Sequence, residues 1–229
     1  MQNTLSIFED RKSEIEFYYS IMIEINNESD NIRTIDNSRF FKISKSNFIL
    51  MLYNLVEACT VNGMLEIYQN LKVDACTYND VIDEIKNIWS KNKVSEIYGP
   101  TTSQLTYENR VKDIINDITT NNPIVLSKNA LGISGNLDAR KIKSICDAHK
   151  IRYVVQNDGA SLKQIKDKRN DLAHGDMSFS NCARDLTIED LGNIKDEVFN
   201  FLSGILEGMK KYHDDKLYIA DNDNEGNPL

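Results

Sequence analysis

The chain has 229 residues, of which 41% are hydrophobic and 27% charged, with only 3 prolines and 10 glycines. This composition excludes a disordered tail, a collagen-like rod and a proline-rich linker, and the scarcity of turn formers argues against a β-sandwich or barrel. With 27 basic against 35 acidic residues the formal net charge is −8, which disfavours a duplex-DNA binder that works by neutralising many phosphates.

In chain order, Ile15, Tyr18, Met22 and Ile25 recur at helical spacing and predict a first helix within about 10–27. A polar stretch, 26–38, then breaks the pattern. Ser46 is a candidate N-cap for the next helix, whose apolar stripe is Phe48, Met51, Leu52, Leu55, Val56 and Cys59. That stripe extends to Met64, Ile67, Tyr68 and Leu71, with a kink or break expected near Gly63. Tyr78, Val81, Ile82, Ile85 and Trp89 form another amphipathic segment, with Trp89 read as core. The stretch 91–106, which contains GPTTSQ, reads as the main internal loop. Val111, Ile114, Ile115 and Ile118 mark a helix that stops before Asn121-Asn122-Pro123.

Residues 124–136 are ambiguous between a short helix and a turn, and Gly132 to Asn136 lacks the Lys-Ser/Thr of a phosphate loop. Asp138 can cap a helix running to about His149. IRYVVQ, 151–156, is the one strand-like run, although a connector fits it too. Residues 161–173 read as a helix with Leu162, Ile165 and Leu172 facing inward, stopped by Gly175. Thr187 and Asp190 resemble a capping box. Leu191, Ile194, Val198, Phe201, Leu202, Ile205 and Met209 carry a last long helix. The expected architecture is therefore all-α with at most a minor strand: one domain over 1–212, and an acidic flexible tail over 213–229. The core is placed at about 44–71 and 137–212, with an inserted segment at about 72–136.

No uninterrupted apolar run reaches the roughly 18 residues of a membrane span; the longest, Phe48 to Val61, holds Asn54 and Glu57. The N-terminus has no basic-then-apolar signal pattern, so a cytoplasmic protein without a membrane partner is expected. Cys59, Cys76, Cys146 and Cys182 are scattered with no CxxC pair, and read as reduced packing residues and not as zinc ligands. No metal site and no cofactor is expected.

Charge is uneven. From Asp138 to Arg169 there are nine Lys/Arg against four Asp, whereas 213–229 holds five acids against one lysine. The basic stretch ends in Lys166-Asp167-Lys168-Arg169-Asn170-Asp171-Leu172-Ala173-His174-Gly175. RNA carries its own nucleophile, the 2′-hydroxyl. Its cleavage needs that proton removed, charge on the phosphate stabilised and the leaving 5′-oxygen protonated. Histidine suits the proton transfers and arginine grips phosphate while staying charged. On an ideal helix, Arg169 and His174 lie about 140° apart. They converge only if the helix loosens at Ala173-His174 or if two copies meet. By spacing alone, His174 is equally an ordinary helix-end histidine near the C-terminal dipole, as is His149; His213 falls in the acidic tail.

Arg169-Asn170-Asp171-Leu172-Ala173-His174-Gly175 resembles the signature of the HEPN superfamily, in particular the prokaryotic proteins with an R-N-x-L-A-H-G segment. Gly135-Asn136-Leu137-Asp138-Ala139-Arg140-Lys141-Ile142 is similar to a segment found upstream in that group. Residues 47–68 resemble its first core helix, and Arg184 to Leu191 the approach to its last. The likeness covers about 44–212. It implies a HEPN-like helical bundle that dimerises and, in catalytic members, a metal-independent endoribonuclease. Such members serve as toxins or anti-phage effectors and are restrained by an antitoxin or defence-system protein. Arg169 and His174 then match the catalytic pair. Asn170 matches the polar residue after the arginine, and Glu57 the acidic residue of the earlier helix; Asp171, by its chemistry alone, is with Asn170 a supporting polar group that can fix backbone and imidazole orientation. Lys163, Lys166 and Lys168 are candidate RNA contacts, their plain alternative being a solvated helix face. Some HEPN toxins carry a tyrosine two residues after the histidine, where a nucleotidyltransferase modifies them. Asp176 stands there, so that form of silencing is not expected. The alternative to an enzyme is a non-catalytic module that binds RNA, a nucleotide or a protein, a version the acidic composition favours.

Overall fold

The computed structural model describes residues 1–27, 37–95, 104–133 and 135–220. It has eight α-helices in these residues: α1 (Gln2–Asn27), α2 (Asn37–Val73), α3 (Asp83–Ser95), α4 (Gln104–Thr119), α5 (Ala139–Ala148), α6 (Ala160–His174), α7 (Phe179–Cys182) and α8 (Ile188–Asp214). A 3-10 turn, Lys128–Leu131, precedes α5. The expected all-α class holds. Two isolated bridges, Thr77 with Pro123 and Val81 with Ile219, are the only β pairing among the described residues.

The centre is α2. Phe48, Leu52, Leu55, Cys59, Met64 and Ile67 are fully buried along it, and α1, α6, α7 and α8 all pack on it. Each such large side chain contributes roughly 1.5–3 kcal/mol by leaving water. A window of α2 with mean hydropathy 1.4 is long and apolar enough to cross a membrane by length and composition, contrary to the sequence reading. In the bundle, 61% of that window is buried, as befits a core helix.

Neither Ser46 nor Gly63 interrupts α2. Ser46 is not its N-cap; its Oγ donates instead to the Phe179 carbonyl at 2.7 Å. At Gly63 a Cβ would lie 2.8 Å from Met209 Sδ, so the glycine permits close approach of α8, and the helix runs on without a break. Long-range packing overrides both local signals. α1 starts well before residue 10 and belongs to the core through Phe8, Ile15 and Met22.

α8 follows its sequence signals closely. The Thr187 hydroxyl accepts from the Asp190 N–H at 3.0 Å, and the Asp190 carboxylate accepts from the Thr187 N–H at 2.8 Å, satisfying two otherwise orphan donors. Across α8 runs the 151–156 segment, which is a connector and not a strand. A Cβ at Gly204 would sit 2.1 Å from the Val154 carbonyl oxygen, and one at Gly208 2.4 Å from that of Arg152. Two glycines four apart thus let a chain lie directly on the helix.

Residues 213–220 are not part of the flexible tail expected from 213 onward. α8 runs to Asp214, and Tyr218 is fully buried against Tyr212. The Ile82 N–H donates to the Tyr218 carbonyl at 3.0 Å and the Ala220 N–H to that of Asp80 at 2.9 Å. Residues 221–229, half of the loop expected at 91–106 and most of the polar stretch 26–38 lie outside the described residues. Where described, 91–95 and 104–106 are helical.

Candidate functional site

Arg169 sits on α6 with its guanidinium carbon 4.7 Å from the centre of the Tyr53 ring, a cation–π contact with α2. Tyr53 is buried, and its hydroxyl ties down the connector ahead of α5. It donates to the Gly135 carbonyl and accepts from the Leu137 N–H at 3.3 Å. Burial pushes the Tyr53 phenol pKa up, against the Leu137 hydrogen bond, so it stays a donor. Gly135 has φ +76°, and a Cβ there would lie 3.6 Å from Arg169 Nη2. A side chain at this position would be strained in backbone conformation, while its Cβ would meet the guanidinium only at ordinary van der Waals distance.

Asn170 completes the arrangement. Its Oδ1 accepts from Arg169 Nη1 at 3.0 Å, and its Nδ2 donates to Asn136 Oδ1 at 2.7 Å. The two quoted sequence segments, around 135–138 and 169–174, therefore meet in space. One turn back along α6, Lys166 is ion-paired with Asp138 at 3.0 Å, which raises the lysine pKa. Burial pushes the Asp138 carboxyl up, but hydrogen bonds from the Lys141 N–H and Lys166 outweigh it and hold the group low. Asp138 is also the α5 N-cap that its sequence position predicted.

α6 stays helical through His174 and ends at Gly175, whose φ of +78° closes the helix. The loosening at Ala173-His174 that would let the two side chains converge within one chain is absent. A helix carries them about 140° and roughly 7.5 Å apart. His174 is exposed, with no hydrogen bond to its ring among the described residues, while Arg169 is half-buried on Tyr53. The following loop is anchored to α6 and α2: the Met177 N–H returns to the Asp171 carbonyl of α6 at 3.2 Å, and Ser46 and Lys45 of α2 hold 179–186 through main-chain carbonyls.

Other expected roles divide. Asp171 makes no side-chain hydrogen bond among the described residues. Glu57 is half-buried one turn beyond Tyr53, in a cleft with Arg11, Asn54 and Lys128, and pairs with neither Arg169 nor His174. The three lysines do not form one phosphate-guiding face. Lys166 is committed to Asp138, and Lys168 Nζ donates to the Cys182 carbonyl; Lys163 alone projects into solvent without an ion pair. His149 is no helix-end charge. It is buried, its Nδ1–H donates to the Ile145 carbonyl at 2.7 Å and its Nε2 accepts from the Tyr68 hydroxyl at 2.7 Å. Burial lowers its pKa from 6.5 to about 4. Cys59 and Cys146 are pushed up to about 12 by burial and serve as packing thiols. No group of three or more His, Cys, Asp or Glu side chains among the described residues could hold a metal ion.

The sequence reading missed Tyr53, Gly135 and Asn136 as parts of the Arg169 setting. Tyr53 lies inside an apolar run and looks like any core aromatic. The glycine and asparagine were visible only as quoted likeness, with no role.

Comparison with known families makes this all-α bundle a HEPN domain. More narrowly, the chain belongs to the MAE_28990-like HEPN family, which matches residues 2–218. That membership points to a nuclease or RNA-related function. No curated protein and no solved structure matches the chain.

Proposed function

We propose that the protein is a metal-independent endoribonuclease of the HEPN type that cleaves single-stranded RNA, whose bent backbone permits in-line attack. The observation that carries this reading is the fixed guanidinium of Arg169, with an exposed imidazole at the end of the same helix. The 2′-oxygen forms a bond to phosphorus and the P–O5′ bond breaks. His174 moves the proton, as general base for the 2′-hydroxyl or general acid for the leaving oxygen, and Arg169 stabilises the phosphoryl charge. The products are a 2′,3′-cyclic phosphate and a 5′-hydroxyl.

Because α6 separates the two groups, the reading requires two copies of the chain, His174 of each approaching Arg169 of the other. Exposed Met177 and Phe179 follow His174 closely in the chain and suit contact between copies. Within this reading the protein is a cytoplasmic toxin or anti-phage effector, restrained by an antitoxin or defence-system partner. The test is cleavage of single-stranded RNA in EDTA with end-group analysis. His174→Ala abolishes cleavage, with helicity and mass in solution unchanged; full activity in that variant removes the role.

A second reading, a non-catalytic module that binds RNA, a nucleotide or a protein, is favoured by the net charge of −8 and by Asp176 beside the histidine. Tight RNA binding without turnover by the unmodified chain would select it.

A further inference from the structure

A depression of about 420 Å3 opens beside Asn136, lined by Gly132, Ile133, Leu137, Arg140, Lys141 and Ser144 among others. Its size is within the roughly 300–1,000 Å3 typical of small-ligand sites. We propose that it is a subsite for one ribonucleotide of the substrate strand, next to the phosphate held by Arg169. This inference rests on the nuclease reading above.

Three observations carry it. The depression adjoins the Arg169 setting, because Asn136 lines it and accepts a hydrogen bond from Asn170. With its Oδ1 so occupied, the Asn136 amide N–H groups have no protein acceptor among the described residues and can serve a ligand. The charge is also positive in effect. Asp138 lines the depression, but one carboxylate oxygen accepts from the Lys141 N–H and the other pairs with Lys166. The side chains of Arg140 and Lys141 have no ion pair or hydrogen bond among the described residues. Finally, Ile133, half-buried at the rim, offers an apolar surface against which a base can lie. Phosphate oxygens on two cations, an amide donor and an apolar wall are what a ribonucleotide unit needs.

A second, larger depression shares Asp138, Arg140 and Ser144 and continues along α5 toward Lys163. There, with Asp138 paired to Lys166, Arg140, Lys143 and Lys163 face Asp147 and Asp158, so most of its positive charge is offset. Lys143 is further occupied by the Asp158 carbonyl at 3.0 Å. The subsite therefore ends near Arg140 and does not extend as a basic track.

The experiment measures binding of a fluorescent single-stranded RNA 12-mer to full-length His174→Ala protein over a salt series, and cleavage kinetics with His174 intact. Arg140→Ala and Lys141→Ala are each introduced, with Lys112→Ala on α4 as the charge control. Each subsite variant weakens binding about tenfold and flattens the slope of log K against log salt by about 0.7, the loss of one phosphate contact on a single strand. In cleavage, KM rises and kcat stays within about twofold. Affinities and slopes equal to those of Lys112→Ala overturn the subsite while leaving the nuclease reading intact. RNA binding that depends on Arg140 and Lys141, in a protein that never cleaves, leaves the pocket as a ribonucleotide site but removes the catalytic reading. Adenosine monophosphate is the free-nucleotide arm. Micromolar binding that RNA does not displace assigns the pocket to a free nucleotide and overturns the substrate-strand role.

Discussion

Removing the hydroxyl of Tyr53 separates the support of the site from its chemistry. Tyr53→Phe keeps the ring beneath the Arg169 guanidinium but deletes the donor to the Gly135 carbonyl and the acceptor for the Leu137 N–H. Gly135 is half-buried and can recover solvent; Leu137 is 1% exposed, and its N–H is left without a partner. An orphaned buried group costs roughly 1–3 kcal/mol, so a loss of about 2 kcal/mol is expected. For a chain of this size that lowers Tm by about 4–8 °C. Tyr53→Leu also forfeits the cation–π contact, worth about 0.5–2 kcal/mol, and leaves a void, so it is the more damaging variant. The assay pairs thermal unfolding with RNA cleavage well below either Tm. Tyr53→Phe is expected to retain more cleavage than Tyr53→Leu at equal folded fraction. A Tyr53→Phe protein with the Tm of the unmodified chain refutes the idea that this hydroxyl holds the connector, and equal cleavage by the two variants refutes the part played by the ring.

The remaining predictions concern packing and charge. His149 has a folded pKa of about 4 against 6.5, so the unfolded chain takes up the proton first as pH falls. Stability is full above about 6.5 and is lost toward 4, amounting to about 2 kcal/mol at pH 5; urea titrations of His149→Gln should lose that dependence, and parallel pH profiles would contradict it. Gly204→Ala drives a methyl into the Val154 carbonyl and should cost at least about 2 kcal/mol, whereas Ser144→Ala on exposed α5 surface should change Tm by under about 2 °C. Lys168→Met frees the Cys182 carbonyl and should destabilise by about 1–2 kcal/mol, while Lys163→Ala should be neutral in the same denaturant titration.

Signals readable in the sequence were those whose cause is local. Thr187 and Asp190 cap each other across three residues, Asp138 caps the helix it precedes, and Gly175 ends one by adopting a positive φ. The apolar spacing of α8 needs no partner to be recognised. What escaped depends on residues far apart in the chain. Ser46 looks like a cap until Phe179 is brought to it, and Lys166 and Lys168 look like free cations until Asp138 and Cys182 arrive. Tyr218 lies in a polar tail, yet it is buried beside Tyr212. At the candidate site the likeness indicated Arg169, Asn170 and His174, and the geometry joins the first two. The separation of Arg169 from His174 was legible too, since it follows from helix pitch alone; the survival of the helix as far as His174 was not.

The Arg169 setting draws on α2, the connector before α5 and α6, and Tyr53 is far from Arg169 along the chain. A polypeptide emerging from a ribosome therefore cannot form it until residue 169 and the helix around it have cleared the exit tunnel. Until then the growing chain lacks the assembled Arg169 setting, which, under the nuclease reading proposed above, delays any hold on the RNA around it.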